Sequence, residues 1–189
     1  MRKGRSATFR NAAETAGSFV STLLLIQLAN SLLQFYQTGI NLLGLGIRPL
    51  NHQGLIGIAF SPLLHGSWLH LLANAVPLLV LITILFWDHR YKPRRTLTTI
   101  WLLSGLGTWL IGRPDSVHVG ASSIIYGLVA YLLLAGILMR SWRAFFITLL
   151  VGLAFSGIWY GILPQDGPIS WEGHLCGAIA GLIAAWRQH

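Results

Sequence analysis

Three short stretches of an otherwise apolar chain carry side chains able to do chemistry: His65, His70 and Asn74 in HGSWLHLLAN, Ser122 and Ser123 in VGASSIIYGL, and His174 in WEGHLCGAIAG. A serine hydroxyl is a weak nucleophile until an adjacent base takes its proton, and a neutral imidazole can take it near pH 7. Ser122 is the candidate nucleophile and His174 the candidate base. The tetrahedral intermediate of such a reaction carries an oxyanion that needs fixed donors. The Asn74 amide, the His70 imidazole and the backbone amides opening the Ser122 helix are the donors available. His70 and Asn74 are four residues apart and share one helix face, as do Ser122 and Tyr126. The carboxylates Glu14, Asp88, Asp115, Asp166 and Glu172 all fall at helix ends or in loops. The expected unit is therefore a Ser-His dyad, which Glu172 could approach only from the external loop.

The elements that must position these residues follow from composition. Of 189 residues, 54% are hydrophobic and only 10% charged, which points to a membrane protein. Apolar runs near the ~20 residues needed to cross a bilayer lie at about 18–38, 69–87, 96–112, 122–139, 144–163 and 174–186. The expected fold is an all-α integral membrane protein with six transmembrane helices: a basic cytoplasmic segment, 1–17, followed by one six-helix domain, 18–189. Gln27, Asn30, Ser31 and Gln34 interrupt the first run. A cleavable signal peptide is the alternative there, with Ala29 and Ser31 at its cleavage site, but the apolar run continues past that point. The chain has no low-complexity tract, solenoid repeat or long linker.

A net charge of +8 would suggest nucleic acid in a soluble protein. Its distribution excludes that reading. With six helices, Arg2, Lys3, Arg5, Arg10, Arg90, Lys92, Arg94, Arg95, Arg140, Arg143 and Arg187 fall on one side, and only Arg48 and Arg113 on the other. Positive residues collect on the cytoplasmic face, so both termini are expected there. Trp68, Trp87, Trp109, Trp142, Trp159, Trp171 and Trp186 lie near helix ends and suit interfacial belts. Cys176 is the single cysteine, so no intramolecular disulfide can form.

In this topology the second, fourth and sixth helices all run from outside to inside, and their chemistry-bearing starts share one layer. Ser122 stands roughly 27 Å above Arg140, His174 roughly 20 Å above Arg187 and Asn74 roughly 24 Å above Arg90. Gly177 and Gly181 form a G-x-x-x-G step one turn below His174, and Gly120 and Gly127 leave bare positions beside Ser122. Close packing through these glycines would bring His174 within reach of Ser122.

These motifs resemble those of the rhomboid intramembrane serine proteases: G-x-S-x opening the fourth helix, a histidine followed by G-x-x-x-G in the sixth, and a histidine pair with asparagine in the second. The similarity covers nearly the whole chain after residue 18. It implies Ser122 as nucleophile, His174 as base and acid, and His70, Asn74 and the Ser122 backbone amide as the oxyanion site, with Tyr126 packed against His174. It further implies membrane-protein substrates cut in transmembrane or juxtamembrane segments near the external face. Lateral entry beside the fifth helix is also implied, with Phe145, Phe146, Phe155, Trp159 and Tyr160 as possible gate residues. A peptide bond inside a helix is shielded and its carbonyl engaged, so such substrates must unwind locally. Two features depart from the family pattern. Ser123 stands where glycine or alanine usually follows the nucleophile, and the loop 40–64 lacks the Trp-Arg pair.

Other readings of the same residues are an inert relative that binds membrane segments without cutting them, and a metal-binding transporter using His65, His70 and His174. The chain keeps the dyad and the oxyanion donors, against the first. It lacks carboxylate or thiolate ligands near the histidines apart from Cys176 on another face, against the second. No cofactor or metal is expected. His65 is expected to make a structural hydrogen bond that supports the loop before the second helix, and His52 and His118 are expected to face solvent.

Overall fold

The structure, a computed structural model, describes residues 8–167 and 169–189. The basic residues Arg2, Lys3 and Arg5 lie outside the described residues. The helices are α1 (Phe9–Phe35), a short α2 (Gly57–Phe60), α3 (Trp68–Trp87), α4 (Pro93–Ile111), α5 (Ser122–Leu138), α6 (Trp142–Ala154) and α7 (Trp171–Gln188). A 3-10 segment, Ser156–Ile162, follows α6 at an angle of 63°.

Local chemistry sets the helix starts. Thr8 accepts the Asn11 N–H ahead of α1, Ser67 accepts the His70 N–H ahead of α3, and Ser170 accepts the Gly173 N–H ahead of α7. Each hydroxyl satisfies one of the N–H groups that a first helical turn leaves without a partner. Pro93 opens α4, where its missing N–H costs nothing. α1 begins nine residues before the expected apolar run, because residues 9–17 continue the helix without needing to be apolar throughout. Part of the basic segment 1–17 is therefore helical.

Helix α5 lies at the centre, packed against α3, α4, α6 and α7, while α1 packs on the far side of α3. Leu71, Leu78, Leu81 and Leu85 form the fully buried stripe of α3, and Ile124, Leu128, Tyr131 and Leu132 fill the middle of the bundle from α5. The outer faces remain apolar: Leu25, Leu28 and Leu32 on α1, Leu69, Leu72 and Val76 on α3, and Phe145, Phe146, Leu149 and Leu153 on α6 are all exposed. Contiguous exposed apolar faces of this extent suit a lipid surround.

Not every long helix has the length and apolarity of a membrane span. α1 and α3 meet both criteria, and α6 with its bent 3-10 continuation makes a third if the pair counts as one. Three things separate this from the six apolar runs of the sequence. The run 144–163 is broken at Phe155, and α5 has 17 residues. α4 and α7 owe their lower apolarity first to charged residues, Arg94 and Arg95 in α4 and Glu172 and Arg187 in α7, and then to Thr96, Ser104, Thr108 and Gln188, which are buried.

Both ends of the bundle are tied. At one end Asp88 accepts from Arg90 at 2.6 Å, with Arg143 3.9 Å away, and Lys92 Nζ donates to the Gln188 carbonyl. Burial pushes the Asp88 carboxyl up, but its hydrogen bonds to Arg90 and the charges of Arg90 and Arg143 bring it below the usual carboxylate value. At the other end Ile47 and His118 exchange backbone hydrogen bonds of 3.0 and 2.8 Å, and Arg113 pairs with Glu172 at 2.8 Å. The loop 40–64 is built from short 3-10 turns around α2.

Candidate active site

Ser122 is the first residue of α5 and His174 lies in the first turn of α7. The glycines bring them together. A Cβ at Gly177 would collide with the Ser123 carbonyl, and one at Gly181 with the Gly127 carbonyl, so α7 lies against the α5 backbone where only hydrogen fits. At this approach His174 Nε2 stands 2.8 Å from Ser122 Oγ. Ser123 makes no such contact: its carbonyl is the surface on which Gly177 rests.

The other ring nitrogen fixes the tautomer. His174 Nδ1 lies 2.9 Å from the Gly161 carbonyl, which can only accept, so Nδ1 carries the proton and Nε2 is free to receive one from Ser122. Gly161 belongs to the 3-10 segment after α6. A Cβ there would collide with the Tyr126 hydroxyl and lie 3.2 Å from His174 Nδ1. Tyr126 stacks flat on the imidazole, ring centroids 4.1 Å apart and planes 9° apart. The His174 imidazole is thus held by a stacked ring on one face and a backbone carbonyl at its edge.

Asn74 and His70 face the same space from α3. They line, with Ser122, Tyr126 and His174, a cavity of about 1080 Å³. Asn74 is 5% exposed, and among the described residues its Nδ2 has no hydrogen-bond partner. A buried amide with free donors is costly unless something else accepts from it. His70 sits against Gly120, whose φ of +118° suits only glycine and whose absent Cβ would lie 2.7 Å from the His70 ring. The Ser122 N–H belongs to a first helical turn, where α5 itself offers no acceptor. His65 packs edge-on against His70, centroids 5.1 Å apart, and its Nε2 accepts the Ala121 N–H at 3.4 Å. It ties the loop before α3 to the turn that presents Ser122.

Two residues lie where the sequence alone did not put them. His118 is buried, 6% exposed, and bonds Ser116 and Ser170 instead of facing solvent, because its loop is pinned to Ile47 by backbone hydrogen bonds. Burial pushes its imidazole below the usual value, with Glu172 opposing and Arg113 reinforcing the shift. Glu172 is fully buried in the first turn of α7 and is committed to Arg113, so the third group on His174 is the Gly161 carbonyl. A backbone carbonyl has no signature in residue type. His52 is exposed. Among the described residues no three His, Cys, Asp or Glu side chains are grouped as metal ligands would be.

Comparison with known proteins decides the family. The Rhomboid domain matches residues 52–189. The chain belongs to the rhomboid family. Among its relatives, proteins named only as uncharacterized in Mycobacterium tuberculosis and Mycobacterium bovis are each 42% identical over 177 residues, covering 89% of this chain and 72% of theirs. A protein named Rhomboid-like protease 5 from Toxoplasma gondii is 29% identical over 142 residues, covering 70% of this rhomboid chain and 16% of that protein. Family membership and exposed apolar helices together make it an integral membrane protein.

Proposed function

We propose that this rhomboid protein is an intramembrane serine endopeptidase that cleaves transmembrane or juxtamembrane segments of other membrane proteins with a Ser122–His174 dyad. The observation that carries the reading is the directed pair of bonds on His174: Gly161 carbonyl at 2.9 Å on Nδ1 and Ser122 Oγ at 2.8 Å on Nε2. This is the protonation pattern a general base needs.

The steps follow from the geometry. Ser122 Oγ attacks the scissile carbonyl carbon while its proton passes to His174 Nε2. The carbonyl oxygen becomes an oxyanion that accepts hydrogen bonds from Asn74 Nδ2, the His70 imidazole and the Ser122 N–H. Collapse breaks the C–N bond, the imidazolium gives its proton to the leaving amine, and an ester to Ser122 remains. Water then adds to that ester as His174 takes its proton, and collapse breaks the bond between the acyl carbon and Ser122 Oγ, which takes the proton back from His174 as the carboxylic acid leaves. Tyr126 and the Gly161 carbonyl hold the ring through both halves. Removing a single oxyanion donor of this kind costs about 3 kcal/mol of transition-state stabilisation.

Six spans with both termini in the cytoplasm of a bacterial inner membrane complete the proposal. In its support, Asp88, Arg90, Lys92, Arg143 and the end of α7 meet at one end of the bundle, and Arg113 meets Glu172 at the other. The cavity reaches from α3 at Ala73 and Pro77 to Ala154 at the end of α6 and to Phe155 and Ile158 beyond it, which offers a side route for a lipid-borne substrate. The test is cleavage of a single-span reporter by purified protein in lipid, with Ser122→Ala in parallel. Ser122-dependent cleavage supports the reading, and an uncut reporter together with no labelling of Ser122 by a fluorophosphonate overturns it.

A further inference from the structure

The reacting pair has a second hydroxyl–imidazole bond above it. His118 stands four residues before Ser122 and Ser170 four residues before His174, and His118 Nδ1 lies 2.6 Å from Ser170 Oγ. The roles are exchanged between the two strands: outside, the imidazole is on the segment leading to Ser122 and the hydroxyl on the segment leading to His174.

The polarity of this network is fixed by its ends. Ser116 Oγ donates to the Arg113 carbonyl at 2.6 Å, so it must accept from His118 Nε2, 2.8 Å away. With Nε2 protonated, Nδ1 is an acceptor and receives a hydrogen bond from the Ser170 hydroxyl. Ser170 Oγ in turn accepts the Gly173 N–H at 3.3 Å, and the Ser170 carbonyl accepts the His174 N–H at 3.1 Å. The chain of donors runs from the α7 amide through Ser170, His118 and Ser116 to Arg113. The charged groups beside it, Arg113 and Glu172, are paired with each other.

We propose that His118 is a positioning residue: its bond to Ser170 fixes the first turn of α7, and with it the His174 imidazole, against the segment that delivers Ser122. The consequence for catalysis rests on the dyad reading above; the mechanical coupling does not. Ser170 alone would cap α7 with a rotatable hydroxyl. His118 stops that rotation, being itself held by Ser116 and by its backbone bonds to Ile47. Productive geometry at a base is sensitive to displacements of about 1 Å, so a strut one turn away is well placed to govern turnover without touching substrate.

The test uses the full chain in lipid, with His118→Ala, His118→Asn, His118→Gln, Ser170→Ala and the double alanine variant. An Asn amide sits near the Nδ1 position and can accept from Ser170, whereas Gln reaches toward Ser116. His118→Ala should lower kcat for a single-span reporter by about 10- to 100-fold with KM changed less than about twofold. His118→Asn should recover most of that loss and His118→Gln little of it, and the double variant should be no slower than the worse single one. Hydrogen exchange of the Gly173 and His174 amides should speed up in His118→Ala while amides in the middle of α5 keep their protection. Wild-type turnover and exchange in His118→Ala would overturn the strut, as would equal rescue by Asn and Gln or a uniform rise in exchange across α5 and α7. If wild type itself shows no Ser122-dependent cleavage, the protease reading fails, and the exchange measurements still decide the strut.

Discussion

Ser122 Oγ and His174 Nε2 are 2.8 Å apart because Gly177, three residues beyond the histidine, rests its bare Cα on the carbonyl of Ser123, the residue after the serine. The Ser122–His174 geometry and the helix packing are one contact read at two heights.

The proposed reaction assigns the nucleophile to Ser122 on that contact. Ser122→Ala and His174→Ala should abolish reporter cleavage, and Ser123→Ala should retain a measurable fraction because, of the two serines, it is Ser122 that His174 bonds. Loss in Ser123→Ala with activity kept in Ser122→Ala would move the nucleophile.

Gly177→Ala and Gly181→Ala should each destabilise the protein, since the added methyl meets a backbone carbonyl that no rotamer change can move aside. Overpacking of this kind costs typically 1–3 kcal/mol, with activity falling in parallel at Gly177. Thermal unfolding in detergent gives the stability change.

Asn74→Ala should lower kcat by about 100-fold or more with little change in KM, since its Nδ2, without a partner among the described residues, is free to donate to the oxyanion of the proposed reaction. Single-turnover cleavage of the reporter reads this directly. An unchanged rate removes Asn74 from the oxyanion site.

Gly161→Ala should slow turnover by driving a methyl into the Tyr126 hydroxyl and shifting the carbonyl that holds His174 Nδ1. Tyr126→Phe removes that hydroxyl while keeping the stacked ring. Combining it with Gly161→Ala should restore part of the rate, a coupling measurable by a double-mutant cycle.

Acid should loosen the opposite end of the bundle. Arg90 and Arg143 hold the Asp88 carboxyl below its unfolded value despite burial, so the charged form is favoured in the folded state. The contribution is therefore complete above a pH of about 4 and is lost as pH falls through the folded value. Asp88→Asn should remove about 1–3 kcal/mol at neutral pH and flatten the acid side of the stability profile. Thermal melts from pH 3 to pH 7 provide the comparison.

Much of this protein is written in residue type and spacing. Apolar runs located the long helices to within a few residues, apart from the early start of α1 and the break at Phe155. The small residues after His174 and around Ser122 marked the α5–α7 contact, and the spacing of His70 and Asn74 put both on one face of α3. Such features are local, since a helix repeats every ~3.6 residues whatever surrounds it.

The tertiary structure alone decided what required two distant backbones to meet. Nothing in the sequence distinguishes Gly161 as the acceptor that orients His174, because every residue carries the same carbonyl and only the bend after α6 brings this one to the ring. His118 likewise read as solvent-facing and Glu172 as a carboxylate at a helix end or in a loop until the Ile47 pairing and the Arg113 contact enclosed them. Polarity predicts exposure for a residue considered alone; once partners satisfy its hydrogen bonds, burial no longer carries that cost, and Ser170 for His118 and Arg113 for Glu172 lie 52 and 59 residues away in the chain.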